Sequence, residues 1–146
     1  MFDKHVIDDM ACNCLMGRAR LVARVITGIY DELLLPFGLK ASQLNLLVVV
    51  AQEGPVRRAD IGRLLHLDRS TLTRNLQVML NNDWITEVQD HIDARGLPLE
   101  VTRKGATLLA EVTPAWKQAQ RRAEALLGDH GTSVLKKVSG NLLGSG

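Results

Sequence analysis

Residues 59–82 read ADIGRLLHLDRSTLTRNLQVMLNN, and their pattern predicts two helices joined by a tight turn. In the first, Ile61, Leu64 and Leu65 stand at i, i+3 and i+4, the spacing of one helix face. His66 and Leu67 turn the chain. Asp68 stands where a side-chain oxygen takes the free amides of a new helix, as an N-cap. Beyond it Leu72, Leu76, Met79 and Leu80 fall at i, i+4, i+7 and i+8, so one face is buried. The other face carries Ser70, Arg74, Gln77 and Asn81, with Arg69, Thr71 and Thr73 flanking its N-terminal end. These donors and acceptors suit phosphates and base edges. A short helix, a tight turn and a donor-rich second helix form a helix-turn-helix. An ordinary amphipathic helix with a solvated polar face has the same periodicity, so the residues downstream of it must make the distinction.

Two β-prone runs come directly after this helix. Residues 84–88 (WITEV) are the first, residues 89–96 are polar and turn-like, and residues 97–101 (LPLEV) alternate as a strand. Pro98 suits an edge strand, where its missing N–H costs no ladder bond. Two strands and a charged loop directly after such a helix make a wing, and the winged combination is far more specific than either half.

Upstream, residues 9–35 are expected to form one long helix. Val22, Val25, Ile26, Ile29 and Leu33 line one side, Leu15 and Ala19 extend the seam, and Pro36 and Gly38 end it. Roughly 27 residues at about 1.5 Å each give about 40 Å, more than one small domain covers. The excess apolar face calls for a partner, and a second copy of the chain is the simplest. Ser42 is the expected N-cap of the next helix, which runs to about Gln52 with Leu44, Leu47, Val48 and Ala51 inward, before Gly54 and Pro55 break it. Downstream, Thr102 starts a helix with Leu108, Leu109 and Val112 inward. Pro114 is expected to kink it, Gly128 and Gly131 to end it, and residues 132–143 to form a short last helix. The expected fold is mainly α: a winged helix-turn-helix with a two-stranded wing and long N- and C-terminal dimerisation helices. Residues 1–38 and 103–146 form the dimerisation region and residues 39–102 the DNA-binding region.

Composition narrows the function. An apolar content of 46% supports a sizeable core, and only 3% aromatics argues against stacking on single-stranded nucleic acid. The net charge of +2 says little, but Arg57, Arg58, Arg63, Arg69 and Arg74 face only Asp60 and Asp68 between residues 57 and 80. No apolar run reaches a membrane span, and the start MFDKHVIDDM lacks the basic and apolar regions of a signal peptide. Cys12 and Cys14 make no disulfide framework, so a cytoplasmic protein is expected. There is no phosphate loop, H-E-x-x-H or nucleophile elbow, so an enzyme is not expected, nor a cofactor or metal.

The segments Gly38-Leu39, Ser42-Gln43-Leu44, residues 61–65 and Asp68-Arg69-Ser70-Thr71-Leu72-Thr73-Arg74 occur in an order that resembles the MarR family of bacterial transcription regulators. Asp93-Ala94-Arg95 and Val101-Thr102-Arg103-Lys104-Gly105 complete the pattern. The resemblance covers nearly the whole chain. It implies a homodimer that sets one recognition helix per subunit into successive major grooves of a double-stranded DNA operator, with wings in the flanking minor grooves. It also implies a repressor released by a small-molecule effector or by cysteine oxidation. By position it assigns Ser70, Thr73 and Arg74 to DNA, Arg95 to the wing tip and Asp93 to steadying the wing. Three departures weaken the cationic surface: Val78 and Ile92 replace arginines common in the family, and Asn81-Asn82-Asp83 replaces its Lys-Lys-Gly. Fewer cations predict a shallower salt dependence.

The DNA-binding candidates are therefore Arg69, Ser70, Thr71, Thr73, Arg74, Gln77 and Arg95. Cys12 and Cys14 read first as small buried hydrophobes, second as a redox sensor and third as metal ligands. On one helix, i and i+2 point about 200° apart, so the two would not bond to each other. His66 and His91 read as solvated. Tyr30 and Trp116 read first as packing residues and second as lining a cavity for a small aromatic effector. The competing class is a winged-helix module that docks on protein. Such a face exposes apolar residues, and only Val78 fits.

Overall fold

The computed structural model describes residues 1–89 and 96–144. In chain order its elements are α1 (Lys4–Asn13), α2 (Leu15–Leu34), a 3-10 turn (Leu35–Phe37), α3 (Ala41–Glu53), α4 (Arg58–Leu65), α5 (Arg69–Asn81), β1 (Ile85–Glu87), β2 (Leu99–Val101) and α6 (Arg103–Leu142). The fold is mainly α with a two-stranded antiparallel sheet, as expected. Among the described residues no single helix is long and apolar enough to cross a membrane.

The expected single N-terminal helix is instead two. Asp3 caps α1 by accepting the His5 amide at 2.9 Å, so the helix starts earlier than the apolar pattern suggests. It stops at Cys14, whose backbone is extended (φ −65°, ψ 113°). The Cys14 amide still bonds the Met10 carbonyl at 3.2 Å, and the Arg18 guanidinium donates through Nε to the Cys12 carbonyl at 3.0 Å. The orphan carbonyl of a helix end is thus satisfied by a side chain from the next helix. In the single chain Cys12 is exposed and Cys14 half-buried, and the two do not share a helix.

A second correction falls at α3. Ser42 lies inside its first turn and is not the cap. The cap residue is Lys40, whose amide donates to Gln43 Oε1 at 3.0 Å, while the Ala41 amide donates to Asp31 on α2 at 2.7 Å. The buried face of α3 holds Leu44, Leu46, Leu47, Val49 and Val50, whereas Val48 and Ala51 are exposed. α3 is the centre of the domain: it touches α2, α4, α5, β2 and α6. Around it Leu34, Ile61, Leu76, Met79, Ile85 and Leu99 are buried almost completely.

The wing pairs Ile85 with Val101, Thr86 with Glu100 and Glu87 with Leu99. β2 is not the open edge expected from Pro98. Leu99 also exchanges both backbone bonds with Val56, at 2.9 and 2.8 Å, and the buried Pro98 precedes the strand. The chain then closes on itself through Thr102. Its hydroxyl donates to the Asp83 and Trp84 carbonyls at 2.5 and 3.2 Å and accepts the Gly105 amide at 3.0 Å, capping α6. Gly105 sits so close to β1 that a Cβ there would lie 2.1 Å from the Trp84 carbonyl oxygen.

α2 lies along α6, where Ala119 and Ala123, one turn apart, are buried and let the two helices approach. The backbone stays helical through Pro114 and departs only at Gly128 (φ 72°, ψ 171°), so Gly131 and Thr132 both lie in the segment after the break. That segment turns back to the helix-turn-helix. Leu142 accepts from His66 Nε2 at 2.7 Å, and the Gly144 amide donates to the Leu64 carbonyl at 3.1 Å. His66, the left-handed residue that ends α4 (φ 54°), therefore has a partner and is not simply solvated.

Candidate nucleic-acid interface

α4 and α5 meet at the His66 turn, and Asp68 sets the start of α5. Its Oδ2 accepts the Thr71 amide at 3.0 Å and the Ser70 hydroxyl at 2.7 Å. Hydrogen bonds from the Thr71 side chain first, then from Ser70, hold its carboxyl well below the usual carboxylate range. Leu72, Leu76 and Met79 anchor α5 to the core and Leu80 is half-buried. That anchoring turns Arg69, Ser70, Thr73, Arg74 and Gln77 outward, all exposed, while Thr71 is half-buried. Ser70 has already spent its one hydroxyl proton on Asp68, so it faces a ligand as an acceptor. Gln77 shares its amide with Asn81 at 2.9 Å. An open groove of about 810 Å³ runs beside the helix, lined by Arg58, Arg63, His66, Arg69 and Thr73 among others. Arg63 pairs with Asp60, and Arg58 reaches Glu87 of β1 at 3.5 Å. Asp93 and Arg95, together with His91 and Ile92, lie outside the described residues.

A helix anchored on three apolar side chains, with cations and hydroxyls on the other side and a wing directly after it, is the constellation expected of a groove-reading helix. Residues 37–96 match the family model of the MarR family.

Over these residues the chain is similar to the MarR family.

The uncharacterized HTH-type transcriptional regulator YwoH of Bacillus subtilis (strain 168) is 33% identical over 67 residues, 46% of this chain. The match spans 49% of YwoH, about half its length. Among solved structures, the transcriptional regulator MosR of M. tuberculosis is 26% identical, with 88% of this chain and 93% of MosR covered and a TM-score of 0.75. A cysteine-to-serine mutant of MarR from E. coli, solved in complex with operator DNA, superposes with a TM-score of 0.77 over 92% of this chain and 97% of its own. At 18% identity that likeness speaks for the MarR fold alone.

A second site lies between the winged core and the long helices. An open pocket of about 430 Å³ is lined by Ile26, Thr27 and Tyr30 of α2, Ala41, Ser42, Leu44, Asn45 and Val48 of α3, and Trp116 of α6. Tyr30 and Trp116 both line this pocket. The Tyr30 hydroxyl donates to Gln120 Oε1, and Gln120 Nε2 donates to Glu124 at 3.3 Å. Burial, then the nearby Glu124 charge, pushes the Tyr30 phenol above its ordinary range. The sequence pattern missed Asn75, which links α5 to this cavity through Ser42. A signal existed: Asn75 is a polar residue three positions after Leu72, in the register of the buried stripe.

Proposed function

We propose that this chain is a homodimeric, sequence-specific double-stranded DNA-binding transcriptional regulator, a repressor released by a small aromatic effector. The observation that carries this is the outward face of α5, with Arg69, Thr73, Arg74 and Gln77 exposed opposite a core-anchored stripe. Ser70 and Thr71 join it at the first turn. Arg95 is assigned to the minor groove from the wing, and Asp93 to steadying the wing. An operator complex of an E. coli MarR mutant with the same fold supports the DNA partner. Residues 39–102 form the DNA-binding region and residues 1–38 and 103–146 the dimerisation region. Pairing of two copies is supported by apolar side chains that one chain leaves open: Met10 on α1, Val22 and Val25 on α2, and Leu135, Val138 and Leu142 on α6. Exposed large apolar side chains on three neighbouring elements need a cover.

The effector is assigned to the 430 Å³ cavity, a size typical of small-molecule sites. Cysteine oxidation is the second trigger, because Cys12 is exposed and both thiols are free. Fluorescence anisotropy on DNA from upstream of the chain's own gene, reduced and oxidised, against a non-specific duplex, tests all of this. Specific binding lost on oxidation and restored by thiol makes Cys12 or Cys14 the trigger. Specific binding indifferent to oxidation leaves the cavity as the trigger. No preference there or in a selection from random duplexes would remove the DNA reading.

A further inference from the structure

Ser42 stands in the cavity wall, and its hydroxyl donates across to Asn75 Oδ1 on α5 at 3.4 Å. Asn75 Nδ2 donates in turn to the Thr71 carbonyl, four residues back on α5, at 3.1 Å. A cavity side chain is therefore one residue away from the backbone of the turn that presents Arg69, Thr73 and Arg74. The Ser42 contact, at 3.4 Å, is longer than an ordinary O–H···O hydrogen bond and therefore weak, so a ligand acceptor at ordinary distance takes the hydroxyl away from Asn75. Asn75 is half-buried, and its carbonyl oxygen then lacks that donor. Rotating the amide to find another donor also turns Nδ2 off the Thr71 carbonyl.

The wall also sets the ligand's charge. Its polar members are Thr27, Tyr30, Ser42, Asn45 and the indole N–H of Trp116, and no lysine, arginine or histidine lines it among the described residues. The Tyr30 proton is committed to Gln120, so its oxygen meets a ligand as an acceptor. A carboxylate seated here would find no cationic side chain among the lining residues to offset the hydration it gives up. A neutral ring with a donor and an acceptor finds partners on both sides.

We propose that the cavity takes an uncharged aromatic molecule bearing one hydrogen-bonding group, and that the Ser42–Asn75 contact carries its presence into α5. This rests on the effector assignment above and adds the charge class and the route. The probes are 2-naphthamide and its charged isostere 2-naphthoate, titrated calorimetrically into the full chain at neutral pH. The amide should bind more tightly by about tenfold or more, a modest charge penalty of about 1.4 kcal/mol. Equal affinity or a preference for the carboxylate overturns the charge class. In a ¹⁵N-labelled chain the Asn75 side-chain amide should shift on adding 2-naphthamide, and an unmoved resonance overturns the route. On DNA the readout is the ratio of duplex Kd with and without 2-naphthamide. Asn75→Ala should bring that ratio near one while 2-naphthamide still binds at least as tightly, because its competitor for the Ser42 hydroxyl is gone, and Ser42→Ala should lower the ratio too. A ratio that persists in Asn75→Ala overturns the relay. Failure of the unsubstituted chain to bind any duplex would sink the DNA reading alone, because the naphthamide and Asn75 results are obtained without DNA.

Discussion

Ser70 donates its hydroxyl to Asp68 at 2.7 Å in the turn that opens α5. An exposed hydroxyl of the helix start is therefore held by the cap before any nucleic acid arrives. The cap carboxyl is depressed by the hydrogen bonds it accepts. A depressed folded pKa stabilises the fold above the unfolded value of about 3.9, and that stabilisation is lost as pH falls through the folded pKa. Asp68→Ala should lower the urea midpoint at neutral pH, with the gap to the parent starting to close below about pH 4. A gap of the same size at pH 7 and pH 2 would show that the ionised carboxylate is not what matters.

Arg74 is exposed at the middle of the outward face of α5. If it reads a base edge, Arg74→Ala weakens the specific complex by about 1–3 kcal/mol and relaxes sequence preference. A uniform loss on all duplexes, with the salt slope smaller by about one, marks a phosphate contact instead. Unchanged affinity on every duplex takes the residue out of the interface.

Gly105→Ala drives a methyl group to 2.1 Å from the Trp84 carbonyl oxygen, a backbone atom held by Thr102. The start of α6 or the first wing strand must shift, at a cost of about 1–3 kcal/mol in urea unfolding. A change within about 0.5 kcal/mol, the ordinary surface range, would mean that α6 is not seated on the wing as described.

Val25 on α2 and Val138 on α6 are 45% and 52% exposed in the single chain. If they face a second copy, Val25→Glu or Val138→Glu puts an unpaired charge into the contact, costing several kcal/mol. That raises the dimer Kd by about a hundredfold or more, and sedimentation should show monomer with an unchanged helical spectrum. Two folded, fully dimeric variants would move the interface elsewhere.

How legible these features were depends on how many residues vote for each. Leu72, Leu76 and Met79 repeat at helical spacing beside a cap at Asp68, so α5 and its outward face came directly from pattern. α3 is apolar on nearly every side, so periodicity could not choose between Val48 and Val49, and contact with five other elements decided it. The break at Cys14 has no glycine or proline to announce it; it depends on Arg18 reaching back to Cys12. Asn75 has meaning only once Ser42, 33 positions earlier, is folded against it.

Gly128 and the His66–Leu142 contact pin the second half of α6 at both ends. Its length is therefore a phase setting as well as a spacer. Each residue inserted or removed between them would advance the helix by about 1.5 Å and rotate it by about 100°. One such step swings Val134 and Val138 off their common side and draws the Leu142 carbonyl away from the turn that launches α5. Substitution within this strut leaves both anchors in place, whereas a change in its length displaces one of them: steps of three or four residues keep the phase but move the Leu142 carbonyl by roughly 4.5–6 Å.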